Sequence, residues 1–477
     1  MTSYQSRFHE SAFGFAAQLS LEATEKGSPI FMSWSTRVPE FDHVKLWDRA
    51  RGLTGNAFLW ISTWGGPRIV TAGSAVGIGG TGSGRFADVR QAWSEITSIL
   101  RQNCDLAHAP GPVLVGGFAF SPEVPDSMGA GSFPDGLMTV PAVQFISLPC
   151  GDNYVTVNLL IRPAADFSQV LASRLQLLED LMNLEELHNE SRAASSGVLS
   201  KIEIPSGLEF QRLVERAVGE IRAGTFEMIV PVRELKVTVD GEFDLSAAVQ
   251  RLLVNSPNTT VFASHLMGEG SGKCFLGATP EYLVRLTGGT VRTLGLAGSI
   301  PRGTVPEQDS VLESQLMADQ KLRRENSVVT EMLRQVLSGV CSKIEVENEP
   351  KVLKLAQIQH LATEVCGMLD RPSDVGIFDL VAMLHPTPAL GGHPRREALN
   401  WLKDNESIER GWFAGPVGWV QSDGSGEFGV AIRSAFVRNS EASLYAGCGI
   451  VEGSEPRAEY EETQVKLLAM AAALGCL

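Results

Sequence analysis

The sequence predicts a mixed α+β sandwich rather than a doubly wound parallel sheet, and three observations lead there. Strand-like and helix-like stretches come in groups instead of alternating one for one. The 477 residues exceed what one simple core supports, so two subdomains or one large, elaborated domain are expected. The composition, 44% hydrophobic and 20% charged with no low-complexity tract, is that of a soluble globular protein.

Residues 1 to about 165 read as short strands separated by turns: "NAFLWIST", "PVLVGGFAF", "PAVQFISL" and "NYVTVNLLI". From Ser168 to Arg192 leucines recur at three- and four-residue spacing, which predicts a helix, and "AASSG" (193–197) follows as a linker. The chain therefore divides into a strand-rich N-terminal portion, 1–197, and a second portion, 198–477. In the second, "GLEFQRLVERAVGEIRAG" is an amphipathic helix ending at Gly224, and "FEMIVPVRELKV" is a strand with an edge or bulge at Pro231. "TTVFASHL", "CFLGATPEYLVRL" and "TVRTLGL" are further strands. "LESQLMADQKLRRENSVVTEMLRQVL" reads as one long helix, "SGEFGVAIRSAFVR" with "ASLYAGCGIV" as a hairpin, and "RAEYEETQVKLLAMAAAL" as the last helix.

A formal net charge of −15 and a pI near 5.1 argue against nucleic acid or an anionic membrane as partner. A small anionic substrate stays open, because a metal ion or a few buried cations reverse the local field. Seven scattered cysteines, none at CxxC spacing, indicate neither a disulfide framework nor a zinc site. No signal peptide and no run of about 18 apolar residues is legible, so a cytoplasmic location without membrane contact is expected. "GIGGTG" (77–82) fits a dinucleotide glycine pattern but reads as a hairpin loop with no helix opening at its end.

The stretch "AEYEETQVK" (458–466) carries the chemistry. Glu459 and Glu462 are three apart and share a helix face, Glu461 points elsewhere, and Lys466 stands one turn beyond Glu462 as a ready salt-bridge partner. Glu325 sits among Lys321, Arg323 and Arg324 in the middle helix. Carboxylates from two helices with no His or Cys beside them suit Mg²⁺, and they read equally as solvated helix faces.

Eight blocks occur in order: "FLGATPEYL" (275–283), "LAGSIPRG" (296–303), "MADQKLRREN" (317–326), "QHLATEV" (359–365), "LHPTPALGGHP" (384–394), "RGWFAGPVGW" (410–419), "GEFGVAIRSA" (426–435) and "LYAGCGIVEGSEPRAEYEET" (444–463). Together they resemble the chorismate-utilising enzymes, and most closely the isochorismate synthases of menaquinone and siderophore pathways, over residues 205 to 477. "VGGFAF" (115–120) looks like that family's N-terminal region. The resemblance implies the large two-sheet α/β sandwich of the anthranilate synthase component I type, chorismate as substrate and a monomer. It implies Mg²⁺ on Glu325 and Glu462, with Glu459 close by through water, binding the ring carboxylate. Arg433 and Lys466 would take the enolpyruvyl carboxylate, helped by backbone N–H groups around Gly447 and Gly449. Gly298 and Ser299 would line the pocket and His360 would sit beside the ring. Glu281 would protonate the departing C4 hydroxyl, its proton retained by burial beside a carboxylated substrate. Cys448 reads as a packed small residue.

One position departs. Relatives that add water carry a lysine base on the strand after the first helix, and here "GTFEMIVPVR" (224–233) places Met228 there. A thioether accepts no proton at any relevant pH. Lys236 lies on the same face but about 26 Å along the strand, leaving Lys273 or a metal-bound water as other candidates. Ala389 is the isochorismate-synthase residue where anthranilate and salicylate synthases carry threonine. Ala297 excludes the covalent lysine of aminodeoxychorismate synthases, and Phe413 stands where relatives often have tyrosine. Three readings follow: an isochorismate synthase impaired or altered by Met228; an ammonia-using 2-amino-2-deoxyisochorismate synthase, fed by free ammonium or an ammonia-supplying partner; and a chorismate-binding protein without turnover.

Overall fold

The computed structural model describes residues 3–103, 109–122, 134–183, 197–265 and 273–477. One continuous hydrogen-bonded sheet forks at the strand Gly136–Ser147. The C-terminal half of that strand pairs with Asn153–Ile161, its N-terminal half pairs with Val113–Phe118, and Arg68–Gly80 runs along its other edge. One arm continues through Ala57–Ser62, Thr260–Ser264, Lys273–Thr279, Ser434–Arg438, Glu441–Gly447 and Val232–Val239 to the edge strand Val198–Ile204. The other continues through Pro416–Gln421, Gly426–Val430, Tyr282–Thr287 and Thr290–Pro301 to Ile358–Leu369. Every pairing in these two arms is antiparallel. Strands before and after residue 197 therefore share one sheet.

Strand alternation explains the layers. Phe58 and Trp60 point inward with Phe262 and Phe275, against Val113, Val115, Val417 and Trp419 of the other arm, and this aromatic layer is the filling of the sandwich. Their neighbours Ala57, Leu59 and Ile61 point outward onto the helices Ser3–Lys26, His43–Thr54, Ser168–Met182, Leu245–Asn255 and Pro456–Leu474. The second arm is covered by Arg85–Ser98, Gln320–Ser338 and Ile377–Leu384.

Four expectations are corrected. The N-terminal portion is not strands alone: it holds the helices Ser3–Lys26, His43–Thr54 and Arg85–Ser98. The second of these is closed by Asp42, whose side chain accepts from the Val44 and Lys45 N–H groups, and by Gly55 at φ 64°. The run 77–82 is not a hairpin loop; Gly77–Gly80 finishes the strand Arg68–Gly80, and a single 3₁₀ turn leads into the helix at Arg85. The long middle helix is two, Pro306–Ala318 and Gln320–Ser338, because Asp319 leaves helical geometry and caps the second through the Leu322 N–H. The strand at 226–237 breaks at Pro231 into Met228–Ile229 and Val232–Val239. The helix expected to reach Arg192 spans Ser168–Met182, and its continuation with most of the linker, 184–196, lies outside the described residues.

Candidate active site

The site is a cavity whose walls come from both arms and the C-terminal helix. Local backbone devices aim its side chains. On the strand Thr290–Pro301 the register slips between Ala297 and Ser299, and Gly298 takes φ 78°, where a Cβ would meet the Leu322 carbonyl oxygen at 2.7 Å. This bulge turns the Gly298 N–H onto the Glu325 carboxylate and lets Ser299 Oγ donate to Glu462 Oε1 at 3.0 Å. Ser299 pairs directly with His360 on the neighbouring strand, so both face the cavity. Arg433 sits at φ 50° in the break between Gly426–Val430 and Ser434–Arg438, and its guanidinium donates to His360 Nε2 at 3.2 Å.

Glu281 occupies the turn between Lys273–Thr279 and Tyr282–Thr287 and is only 3% exposed. Its Oε1 has no hydrogen-bond partner. Burial pushes its carboxyl up to about 8 against the opposing pull of Arg433. Glu281 thus holds its proton at neutral pH. Burial, reinforced by the cations Arg433 and Lys466, keeps His360 neutral. Burial also lowers Arg433 to about 10, leaving it charged.

The second carboxylate group behaves differently. Burial and the negative charge of Glu462 raise Glu325 to about 7. Burial opposes the charge on Glu462, yet Lys466 at 2.6 Å and the Ser299 hydroxyl hold it below the usual carboxylate range. Glu459 is buried and accepts from Lys321 Nζ at 3.0 Å, while Glu461 pairs on the surface with Arg457. Lys466 also donates to the Gly447 carbonyl at 2.9 Å.

A model of the chorismate binding enzymes matches residues 17–475. The chain belongs to that family. It is similar to isochorismate synthase MenF of Bacillus subtilis strain 168, 34% identical over 461 residues and covering 95% of each chain. It is also similar to the salicylate biosynthesis isochorismate synthase of Pseudomonas aeruginosa, 32% identical with 85% of this chain and 82% of that one covered. Among solved structures, the menaquinone-specific isochorismate synthase MenF of Escherichia coli shares the fold at TM-score 0.77 and 23% identity, over 96% and 100% of the two chains.

Within this member of the family, Glu281, Gly298, Ser299, Glu325, His360, Ala389, Arg433, Gly447, Gly449 and Lys466 all line the one cavity. Glu459, Glu462 and Met228 do not line it directly. Glu462 reaches it through Ser299 and Lys466. Met228, 1% exposed, lies just behind the wall: a Cβ on Gly449 would meet Met228 Cε at 2.7 Å and Glu325 Oε1 at 2.6 Å. The substitute lysines are elsewhere. Lys236 is half exposed beside Glu234, and Lys273 pairs in register with Arg438 away from the cavity. Cys448 lines the cavity with its thiol pushed well up by burial, unsuited to attack.

Among the described residues no three His, Cys, Asp or Glu side chains form a ready metal cage. The donor set still fits Mg²⁺. That ion keeps several waters and takes one or two protein carboxylates, and the mutual repulsion of Glu325 and Glu462 is what a divalent cation relieves. Sequence reasoning assigned no role to Lys321, the partner of Glu459, or to the cavity-lining Arg410 and Leu390. Lys321 was visible beside Glu325, but only the break at Asp319 turns it toward Glu459.

Proposed function

We propose that the chain is an isochorismate synthase: it takes chorismate with Mg²⁺, adds a hydroxyl at C2 and releases the C4 hydroxyl. The observation that carries this reading is the buried, protonated Glu281 sharing one cavity with Arg433, Lys466 and Glu325. Lys466 and Arg433 bind the side-chain carboxylate. Glu281 gives its proton to the C4 oxygen, which leaves as water while the ring double bonds shift. The entering water passes a proton to solvent as it bonds to C2, and Glu281 regains one from solvent, so no net proton is taken up. Glu325 and Glu462, with Glu459 nearby, would hold Mg²⁺, which would supply positive charge for the ring carboxylate. Met228 offers no base for the entering water, so turnover is slow by about 10²–10⁴-fold against a lysine-bearing enzyme.

Met228 favours a second reading, chorismate binding without turnover. Chromatography of chorismate with Mg²⁺, with and without ammonium, separates them when this protein is compared with Met228→Lys. Isochorismate raised strongly by the lysine supports the proposal. Binding with no product from either protein supports the second reading. An amino product only with ammonium moves the reaction to 2-amino-2-deoxyisochorismate formation.

A further inference from the structure

Pro231 cannot donate a hydrogen bond, and the strand that carries position 228 breaks there. The groups on either side of the break are caught by one ion pair. Arg410 Nη2 donates to the Val230 carbonyl at 2.6 Å, and the Val232 N–H donates to Glu406 Oε1 at 2.9 Å. Arg410 and Glu406 are joined as a fork, Nε to Oε2 at 2.9 Å and Nη2 to Oε1. The remaining arm of the guanidinium, Nη1, donates to the Leu390 carbonyl at 2.8 Å, next to Ala389, and the group stacks over the Phe120 ring at 4.2 Å. Arg410 is 5% exposed, and Val230, Val232 and Leu390 line the cavity with it.

A buried ion pair is weak evidence of stability, because desolvation offsets much of the attraction. Its geometry here has a different consequence. Glu227 and Ile229 are fixed by backbone hydrogen bonds to His393 and Ile450 and Val232 is in register with Gly447, whereas the Val230 carbonyl and the Val232 N–H between them are held by side chains. We infer that Glu406 and Arg410 are positioning residues that remake the hydrogen bonds lost at Pro231, and so set where side chain 228 and the Ala389–Leu390 wall stand relative to the cavity. The importance of position 228 rests on the functional reading above; the mechanical claim does not.

The test uses Arg410→Lys, which keeps the charge and loses the fork, and the gentler Glu406→Gln, which keeps an acceptor for Val232. In protein labelled at the methionine methyl groups, both variants are expected to move the Met228 resonance, Arg410→Lys more. Met32 and Met470, buried in the helix-covered face of the first arm, stay in place. In the Met228→Lys protein, Arg410→Lys lowers kcat by about tenfold to a hundredfold, with KM changed far less. An unmoved Met228 methyl in both folded variants overturns the inference, as does a uniform shift of all three methyls. If Met228→Lys forms no isochorismate, the functional reading fails and the methyl resonances alone decide this one.

Discussion

The cavity holds two carboxylate regions that the chain treats in opposite ways. Glu281 stands alone, its Oε1 unpartnered, and burial keeps it protonated up to about pH 8. Outside the cavity lining, Glu459 and Glu462 are each paired with a lysine, while Glu325 on the wall receives the Gly298 N–H and is raised to about 7 by burial and by Glu462. In the proposed reaction the first region gives a proton away and the second holds negative charge for a cation. Residue type does not distinguish them; the company each glutamate keeps does.

Removing the proton donor is the strongest way to break this contrast. Glu281→Gln should lower isochorismate formation, assayed in the Met228→Lys protein, by about 10²–10⁴-fold while leaving chorismate binding within a few-fold. Equal loss of binding would mean Glu281 holds substrate rather than protonating it. On the other side, Glu462→Gln should weaken Mg²⁺ binding: the metal concentration for half-maximal chorismate binding rises by about tenfold or more. An unchanged metal titration would remove Glu462 from the ion's neighbourhood.

A pH series sharpens the same contrast. In the proposed reaction the protonated form of Glu281 is the working one, so kcat of the Met228→Lys protein should fall as pH rises through about 8. Stability follows with the same sign. The folded-state value is raised above 4.5, so the folded state carries no penalty from Glu281 below about pH 4.5, and stability is lost progressively as pH rises toward 8. Glu281→Gln should flatten that part of a melting-temperature profile, and a profile unchanged by the substitution would count against a buried, protonated acid.

Smaller effects test the walls. Gly449→Ala must displace Glu325 Oε1 and Met228 Cε, both ends of flexible side chains, so it should weaken Mg²⁺-dependent chorismate binding by about tenfold with little change in melting temperature. Phe413, stacked on Tyr445 at 5.2 Å, should tolerate Phe413→Tyr with KM changed by no more than about fivefold, one hydrogen bond's worth.

The cavity-lining Glu281 and Arg433 were reached through the resemblance to the chorismate-utilising enzymes, since each alone reads as an ordinary strand residue. Glu459, Glu462 and Lys466 share a helix face by spacing alone, and Pro231 pointed to an edge or bulge where the strand in fact breaks. The sandwich strands read as short apolar runs bounded by turns, since many are buried on both faces. The N-terminal helices were missed although Asp42 and Gly55 are ordinary caps, and the Ala12, Ala16, Leu19 and Ala23 stripe has helical spacing. A run of convincing strands drew the whole segment with it. The break at Asp319 was hidden because flanking residues favour helix on both sides. Arg410 was beyond sequence reasoning for a different reason: Glu406 is only four residues away, but Val230, Leu390 and Phe120 come from three segments that only the fold brings to it.

The measurement that tests the account most directly is a calorimetric titration of chorismate into the unaltered protein, with and without Mg²⁺. It is independent of whether Met228 permits turnover. Saturable one-to-one binding in the micromolar to millimolar range that weakens by about tenfold or more without the metal is the predicted result. No binding in either condition, or binding indifferent to Mg²⁺, would contradict the account.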